Sequence, residues 1–271
     1  MTYLRASSLP AWTDCPRRAA ATLLHDELLA SGYKLREYTR ASIGPAVGTA
    51  VDAGANEYLR AKLDGCEVTP SQALEIAIAA FRKEIANGCD FDATTPNPND
   101  GEKQIARMLE VFRRDVLPDI KPQSVQLELT GNIGDGWVLG GHWDSRDTQR
   151  LLHDLKTGTD TWPVTPQKGA YILLGAANGL PIDAAVINYI ERVPLKKQQP
   201  AASKIYYEAD LLRRHALAVI RRVKRDVMAF RTTGDPETLP ANPFSMFCSN
   251  RNCPAHDVRG DGKPFCDWWK K

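Results

Sequence analysis

Apolar residues recur along this chain at two periods, and the period changes once. Up to about residue 117 the spacing is helical. An alanine- and leucine-rich run follows Ser7-Ser8 and Cys15-Pro16-Arg17-Arg18, and further runs cover about Pro45 to Leu63, 71 to 88 and 100 to 117. The last two are parted by a loop from Asn87 to Asp100 that holds Pro96 and Pro98. Pro16 suits the first turn of its helix, which puts Cys15 at the N-terminal end, where a thiolate is favoured. From Val125 the period becomes two: Val125, Leu127 and Leu129 alternate with Gln126, Glu128 and Thr130, as in a half-buried strand. A hairpin from Gly136 to Lys156 follows, with Val138, Leu139 and Trp143 on one arm and Leu151, Leu152 and Leu155 on the other. A turn at Thr157-Gly158-Thr159, a helix from Pro166 to about Ala177, strands over Ile182 to Val193 and 203 to 207, and a long helix from about Glu208 to Thr232 come next. The tail from Phe244 has little period of either kind. Helices followed by three successive short strands predict an α/β or α+β core with an N-terminal helical lobe. The expected division is a helical lobe over 1–120, a core over 121–235 and a cysteine-rich segment over 236–271, all in one domain.

Composition narrows the classes without choosing one. At 271 residues, 43% hydrophobic and 25% charged, the chain can bury a sizeable core and is ordinary for a soluble protein. A formal charge of +2 announces no polyanion partner, so a nucleic-acid surface must come from local clustering. The last long helix supplies one cluster, with Arg213, Arg214, Arg221, Arg222, Lys224, Arg225 and Arg231, either an ordinary solvated face or, beside a phosphate-cleaving site, a surface that tracks the backbone. No apolar run is long enough to cross a bilayer and none opens the chain, so no membrane partner and a cytoplasmic location are expected.

The hairpin holds the candidate chemistry. Strand alternation puts Asp154 and Lys156 on one face and Leu155 on the other, and Asp144, read as the end of the preceding strand, can stand across from Asp154. Two carboxylates so placed can hold a hard divalent cation through oxygens, and the lysine beside them can orient a water or stabilise charge on a phosphate. Asp-x-Lys alone is weak, since Asp119-Ile-Lys121 and Asp261-Gly-Lys263 also occur, beside a proline and in a glycine-rich turn. The hairpin triplet stands out because it lies in an apolar strand with another Asp before it. The alternative is a solvated hairpin with a surface ion pair. Asp52, one turn from Gly48, is either a site residue or the polar face of an amphipathic helix, and Glu128 can approach the hairpin from the neighbouring strand. Gln167 and Tyr171 share a helix face.

Six cysteines without a secretory signal argue against a disulfide framework. Cys248, Cys253 and Cys266 crowd the tail and offer three soft ligands; His256 nearby or Cys15 far away can be the fourth. The second choice ties the first helix to the end of the chain.

In this order the pieces resemble the RecB-like branch of the PD-(D/E)XK nuclease superfamily, and within it the iron-sulfur nucleases, the CRISPR-associated RecB-like exonucleases and the nuclease domain of AddB. The resemblance rests on Ser-Ser-Leu with Cys15-Pro-Arg-Arg, on Gly48-Thr-Ala-Val-Asp52, on Gly141-His-Trp-Asp144 with Asp154-Leu-Lys156, on Gln167-x-x-x-Tyr171 and on the three C-terminal cysteines. It implies a restriction-endonuclease-like core and metal-dependent hydrolysis of DNA, single-stranded or at ends, with recombination or CRISPR-adaptation proteins as partners. Asp144, Asp154, the Leu155 carbonyl and Asp52 would hold Mg2+ or Mn2+. Lys156 would position the attacking water, Glu128 would orient metal-bound water, and Gln167 and Tyr171 would hold the strand or the site geometry. Cys15, Cys248, Cys253 and Cys266 would hold a structural 4Fe-4S cluster. Two departures stand out: Asp52 occupies the place of the branch's usual His, and twelve residues separate the last two cysteines, which keeps zinc open. A second reading is a nuclease-inactive DNA-binding or complex-assembly module with a structural zinc or iron-sulfur site.

Overall fold

The computed structural model describes residues 1–36, 41–158, 164–249, 253–256 and 263–268. Strand β1 (Thr2–Arg5) leads into α1 (Leu9–Asp14), α2 (Pro16–Leu23), α3 (His25–Ala30) and the short β2 (Tyr33–Lys34). Then come β3 (Ala41–Ser42), α4 (Ile43–Asp64), α5 (Pro70–Ile85), β4 (Cys89–Asp90) and α6 (Pro98–Val111). The sheet strands β5 (Pro122–Asn132), β6 (Trp137–Asp147) and β7 (Leu151–Gly158) precede α7 (Thr165–Ala177), β8 (Ala184–Glu191), β9 (Ser203–Glu208) and α8 (Ala209–Thr233), and β10 (Lys263–Pro264) lies in the tail. The helix ends follow from local chemistry. Thr69 and Gln72 form a capping box on α5, and Gly65 and Gly234 take left-handed conformations that close α4 and α8.

The main sheet is mixed. It runs β1-β6-β7-β8-β9, with β5 along the other side of β6. The pairs β1–β6 and β7–β8 are parallel; β5–β6, β6–β7 and β8–β9 are antiparallel. Helices α4, α5 and α6 cover one face, where Val47, Val51, Phe81, Phe112 and Ile190 form a core. Helices α7 and α8 cover the other, where Trp137, Trp143, Leu152, Leu174 and Val223 pack with α1 to α3 and with Phe265 of the tail. Apolar burial on both faces is the main source of stability.

Five sequence expectations change. The strand β1 was not foreseen: with four residues it is too short to show a period, and its parallel pairing to β6 is non-local. The first 36 residues therefore pack with the sheet, and the helical lobe defined by core packing begins at Ile43. The alternation in β5 breaks at Gln126, which has a φ of 50°, so Val125 packs towards α4 while Leu127 packs towards α7. Asp144 does not end its strand, because β6 runs on to Asp147, and Thr157-Gly158 belong to β7 rather than to a turn. Thr159, Asp261 and Gly262 lie outside the described residues.

Candidate active site

The site forms where the sheet forks. On one side of β6 the pairing with β1 ends at Gly140, and the pairing with β7 begins at Ser145. Gly141 to Asp144 have no ladder partner on that side. Asp144 bridges the fork, its Oδ2 accepting from the Leu155 amide at 2.9 Å. Asp154 follows the last residue of β7 that pairs with β6, is only 2% exposed, and lies 2.8 Å from Lys156 Nζ through Oδ2. Lys156 also donates to the Leu155 carbonyl at 3.4 Å, so that carbonyl faces the same space.

Two helices close on the fork from opposite faces. Helix α4 brings Asp52, whose Oδ2 accepts from Asn56 Nδ2 at 2.9 Å. It can come close because residue 48 is glycine: a Cβ there would stand 2.8 Å from Thr157 Oγ1 of β7. Helix α7 brings Gln167, Lys168 and Tyr171. Gln167 Nε2 donates to the Tyr171 hydroxyl at 2.9 Å, as the four-residue spacing predicted. Lys168, fully buried, places its ammonium on Asp154 Oδ1 and lies 3.3 Å from Gln167 Oε1. Gly141 makes room for Tyr171, since a Cβ there would meet its ring at 3.0 Å.

The electrostatics are those of an acidic cluster held by two lysines. Burial first, then Asp144, pushes the Asp52 carboxyl up to about 7. Burial and the neighbouring Asp154 also raise Asp144. Burial acts the same way on Asp154, but Lys168 and Lys156 outweigh it and hold that carboxyl below its ordinary value. Lys156 is held above the usual lysine value, because Asp154 and Asp144 outweigh burial. Lys168 goes the other way: burial exceeds the pull of Asp154 and lowers it to about 8. The Tyr171 hydroxyl is pushed up by burial and by both aspartates.

Of the expected site residues, Asp52, Asp144, Asp154, Leu155, Lys156, Gln167 and Tyr171 come together. Glu128 does not. It is exposed opposite His142, and no contact joins it to Asp144, Asp154 or Lys156. Since Leu127 pairs with Trp143 and Val125 with Ser145, the residue across from Asp144 is Gln126, with its Nε2 buried and unpaired. Three neighbours were missed. Lys168 was legible as the residue after Gln167 but carries no pattern of its own, and Asn56 needed only the i+4 spacing from Asp52. Gln126 has no sequence signal, because its position depends on a backbone conformation.

Cys15 stands at the N-terminus of α2 and converges with the tail. Burial raises the Cys253 thiol to about 11, with Cys15, Cys266 and Cys248 all contributing as neighbours. The Asn242 amide donates to Cys15 Sγ at 3.4 Å, and Cys15, Cys248, Cys253 and Cys266 are thiols outside any disulfide. His256 is buried and bridges its backbone to Cys266.

Among the described residues, no three or more His, Cys, Asp and Glu side chains are arranged so that they could hold a metal ion as they stand. The donor chemistry nonetheless fits at both places. Three mutually repelling carboxylates, Asp154 buried and Asp52 and Asp144 partly so, suit a hard divalent cation, and four converging thiols suit a soft metal or a cluster.

No protein-family model and no curated protein sequence matches the chain. Among solved structures it is similar to a provisionally assigned exonuclease from Eubacterium rectale, at 16% identity over 83% of this chain and 80% of that one, with a TM-score of 0.55. The likeness is one of fold. LHK-Exo, crystallised with dAMP, aligns at 8% identity over 69% of this chain and 96% of that one, with a TM-score of 0.31, too low to bear on the reading. No described helix is long and apolar enough to cross a membrane.

Proposed function

We propose that the chain is a metal-dependent DNA nuclease of the PD-(D/E)XK type, acting on single strands or ends. The observation that carries this reading is the fork itself: Asp144 and Asp154 on diverging strands, Lys156 on the second carboxylate, and Asp52 facing them from α4. The fold likeness to a provisionally assigned exonuclease agrees with it.

Asp144, Asp154 and the Leu155 carbonyl, with Asp52, would hold Mg2+ or Mn2+. When bound, the cation lowers the pKa of water and offsets charge on the phosphate in the transition state. Lys156, its side chain one-third exposed, reaches the solvent side of the cluster, where its ammonium can position the attacking water and stabilise the phosphate oxygens. Gln167 and Tyr171 orient one another across one helical turn and so present one amide and one phenol to a bound strand. The four cysteines would hold a 4Fe-4S cluster that staples the two ends of the chain. The cluster's role would be structural, because Cys15 stands at the N-terminus of α2 and meets the tail there, so that a group held by the four thiols would link the two ends of the chain.

Incubating end-labelled single-stranded, double-stranded and circular DNA with Mg2+ or Mn2+, with and without chelator, tests the proposal. Cleavage that stops on chelation is expected. Binding without cleavage under every condition would favour a DNA-binding or assembly module instead.

A further inference from the structure

The Gln-x-x-x-Tyr pattern of α7 leaves position 168 open, and this chain fills it with a lysine that is 0% exposed. A buried ammonium is costly unless paired. Lys168 is paired with one partner, Asp154 Oδ1, while Lys156 takes Oδ2 of the same carboxylate. Both oxygens of Asp154 thus face a positive charge, one from the solvent side and one from inside the fold. Lys168 is locked there from several directions: its ammonium lies 5.1 Å over the Tyr171 ring, and the next residue, Gly169, is pressed against the backbone of Leu212 in α8.

Both oxygens of Asp154 are thus taken by ammonium groups, and a carboxylate must be ionised to ligate a cation, so in the metal-bound site Asp52, Asp144 and Asp154 stand against Lys156 and Lys168 with one net negative charge. One divalent cation reverses it to one net positive, which a phosphodiester monoanion neutralises. Two divalent cations would leave three positive charges beside a single phosphate, in a setting where unbalanced charge is poorly solvated. We propose that the site takes one divalent cation, and that Lys168 is a positioning residue standing on Asp154 where a second cation would otherwise bind. The inference rests on the nuclease reading but goes beyond it, since that reading is compatible with one ion or two.

The test counts ions and does not need activity. The whole protein is titrated with Mn2+, free Mn2+ is followed by electron paramagnetic resonance, and Asp144→Asn locates the signal by losing it. Wild type should bind one Mn2+ at the Asp144-dependent site. Lys168→Met, which removes the charge and keeps much of the volume, should gain a second ion or bind the first on the order of tenfold or more tightly, as expected for the loss of a unit charge within a few ångströms. Two Asp144-dependent ions in wild type would overturn the proposal. So would one ion in both proteins with unchanged affinity, and that result would leave the nuclease reading intact. Absence of any Asp144-dependent ion in wild type would instead sink the nuclease reading, and this inference with it. If Lys168→Met does not fold, the wild-type count alone decides: one ion supports the proposal and two overturn it.

Discussion

Lys156 reaches the site through contacts that the rest of the fold does not depend on. Lys156 touches Asp154 and the Leu155 carbonyl, and its side chain is partly in solvent. Lys156→Ala should therefore keep the circular dichroism spectrum and melting temperature within the range of a surface change, while cleavage falls about 10²- to 10³-fold, as for loss of one transition-state donor. Asp154 differs, because it is buried between two lysines. Asp154→Ala would leave Lys168 buried and uncompensated, and a destabilisation of about 3–5 kcal/mol is expected by urea unfolding, on top of lost cleavage. The pair of variants thus separates chemistry from folding on neighbouring residues of one strand.

Among the elements, α7 is the one whose placement decides the site, since it carries Gln167, Lys168 and Tyr171. Its position depends on Gly169, where a Cβ would land on the Leu212 carbonyl of α8. Gly169→Ala should push the helices apart at a cost of about 1–3 kcal/mol, read from denaturant midpoints, and should impair cleavage although residue 169 touches no site residue through a side chain. The elements also show what the sequence could and could not disclose. Helices α4, α5, α6 and α8 carry long stripes of apolar residues, and the hairpin of β6 and β7 carries an alternating one, so their presence was readable from period alone. The strand β1 is too short for a period, and the kink at Gln126 arises from backbone that no residue type announces. The motif residues on α4, β6, β7 and α7 were found because each motif is local. Lys168 acquired its role from a partner 14 residues away, and the opposition of Gln126 to Asp144 arises only when β5 and β6 pair.

Across the whole molecule, two long-range links hold the site's parts in place. One joins the helical lobe to the sheet: Arg192, at the end of β8, grips Asp92 through two nitrogens at 3.0 and 2.7 Å. Burial alone would raise the Asp92 carboxyl, but Arg192 and the Thr94 and Thr95 amides outweigh it and hold it below the ordinary value. A carboxyl depressed in the folded state adds stability above its unfolded pKa of about 3.9 and loses it as pH falls through the folded value. Stability should therefore drop on acidification below about pH 4, and Asp92→Asn should flatten that part of the profile in pH-dependent denaturation. The other link joins the two ends of the chain. Buried Arg17 of α2 donates to the Leu239 and Pro236 carbonyls at 2.9 and 2.7 Å, beside the point where Cys15 meets the tail. With a cluster or metal in those thiols, Cys253→Ala should lose the metal and much of the soluble yield, while the sheet residues of the fork are unchanged.

The most direct test of the central claim is one paired measurement: cleavage of labelled single-stranded DNA in Mn2+ by wild type and by Lys156→Ala, each first shown to be folded. Cleavage by wild type, arrested by chelator and lost in the variant, is the result this account predicts. A wild type that binds DNA without cutting it, or a variant that cuts as fast as wild type, would contradict the assignment of the fork as the catalytic centre.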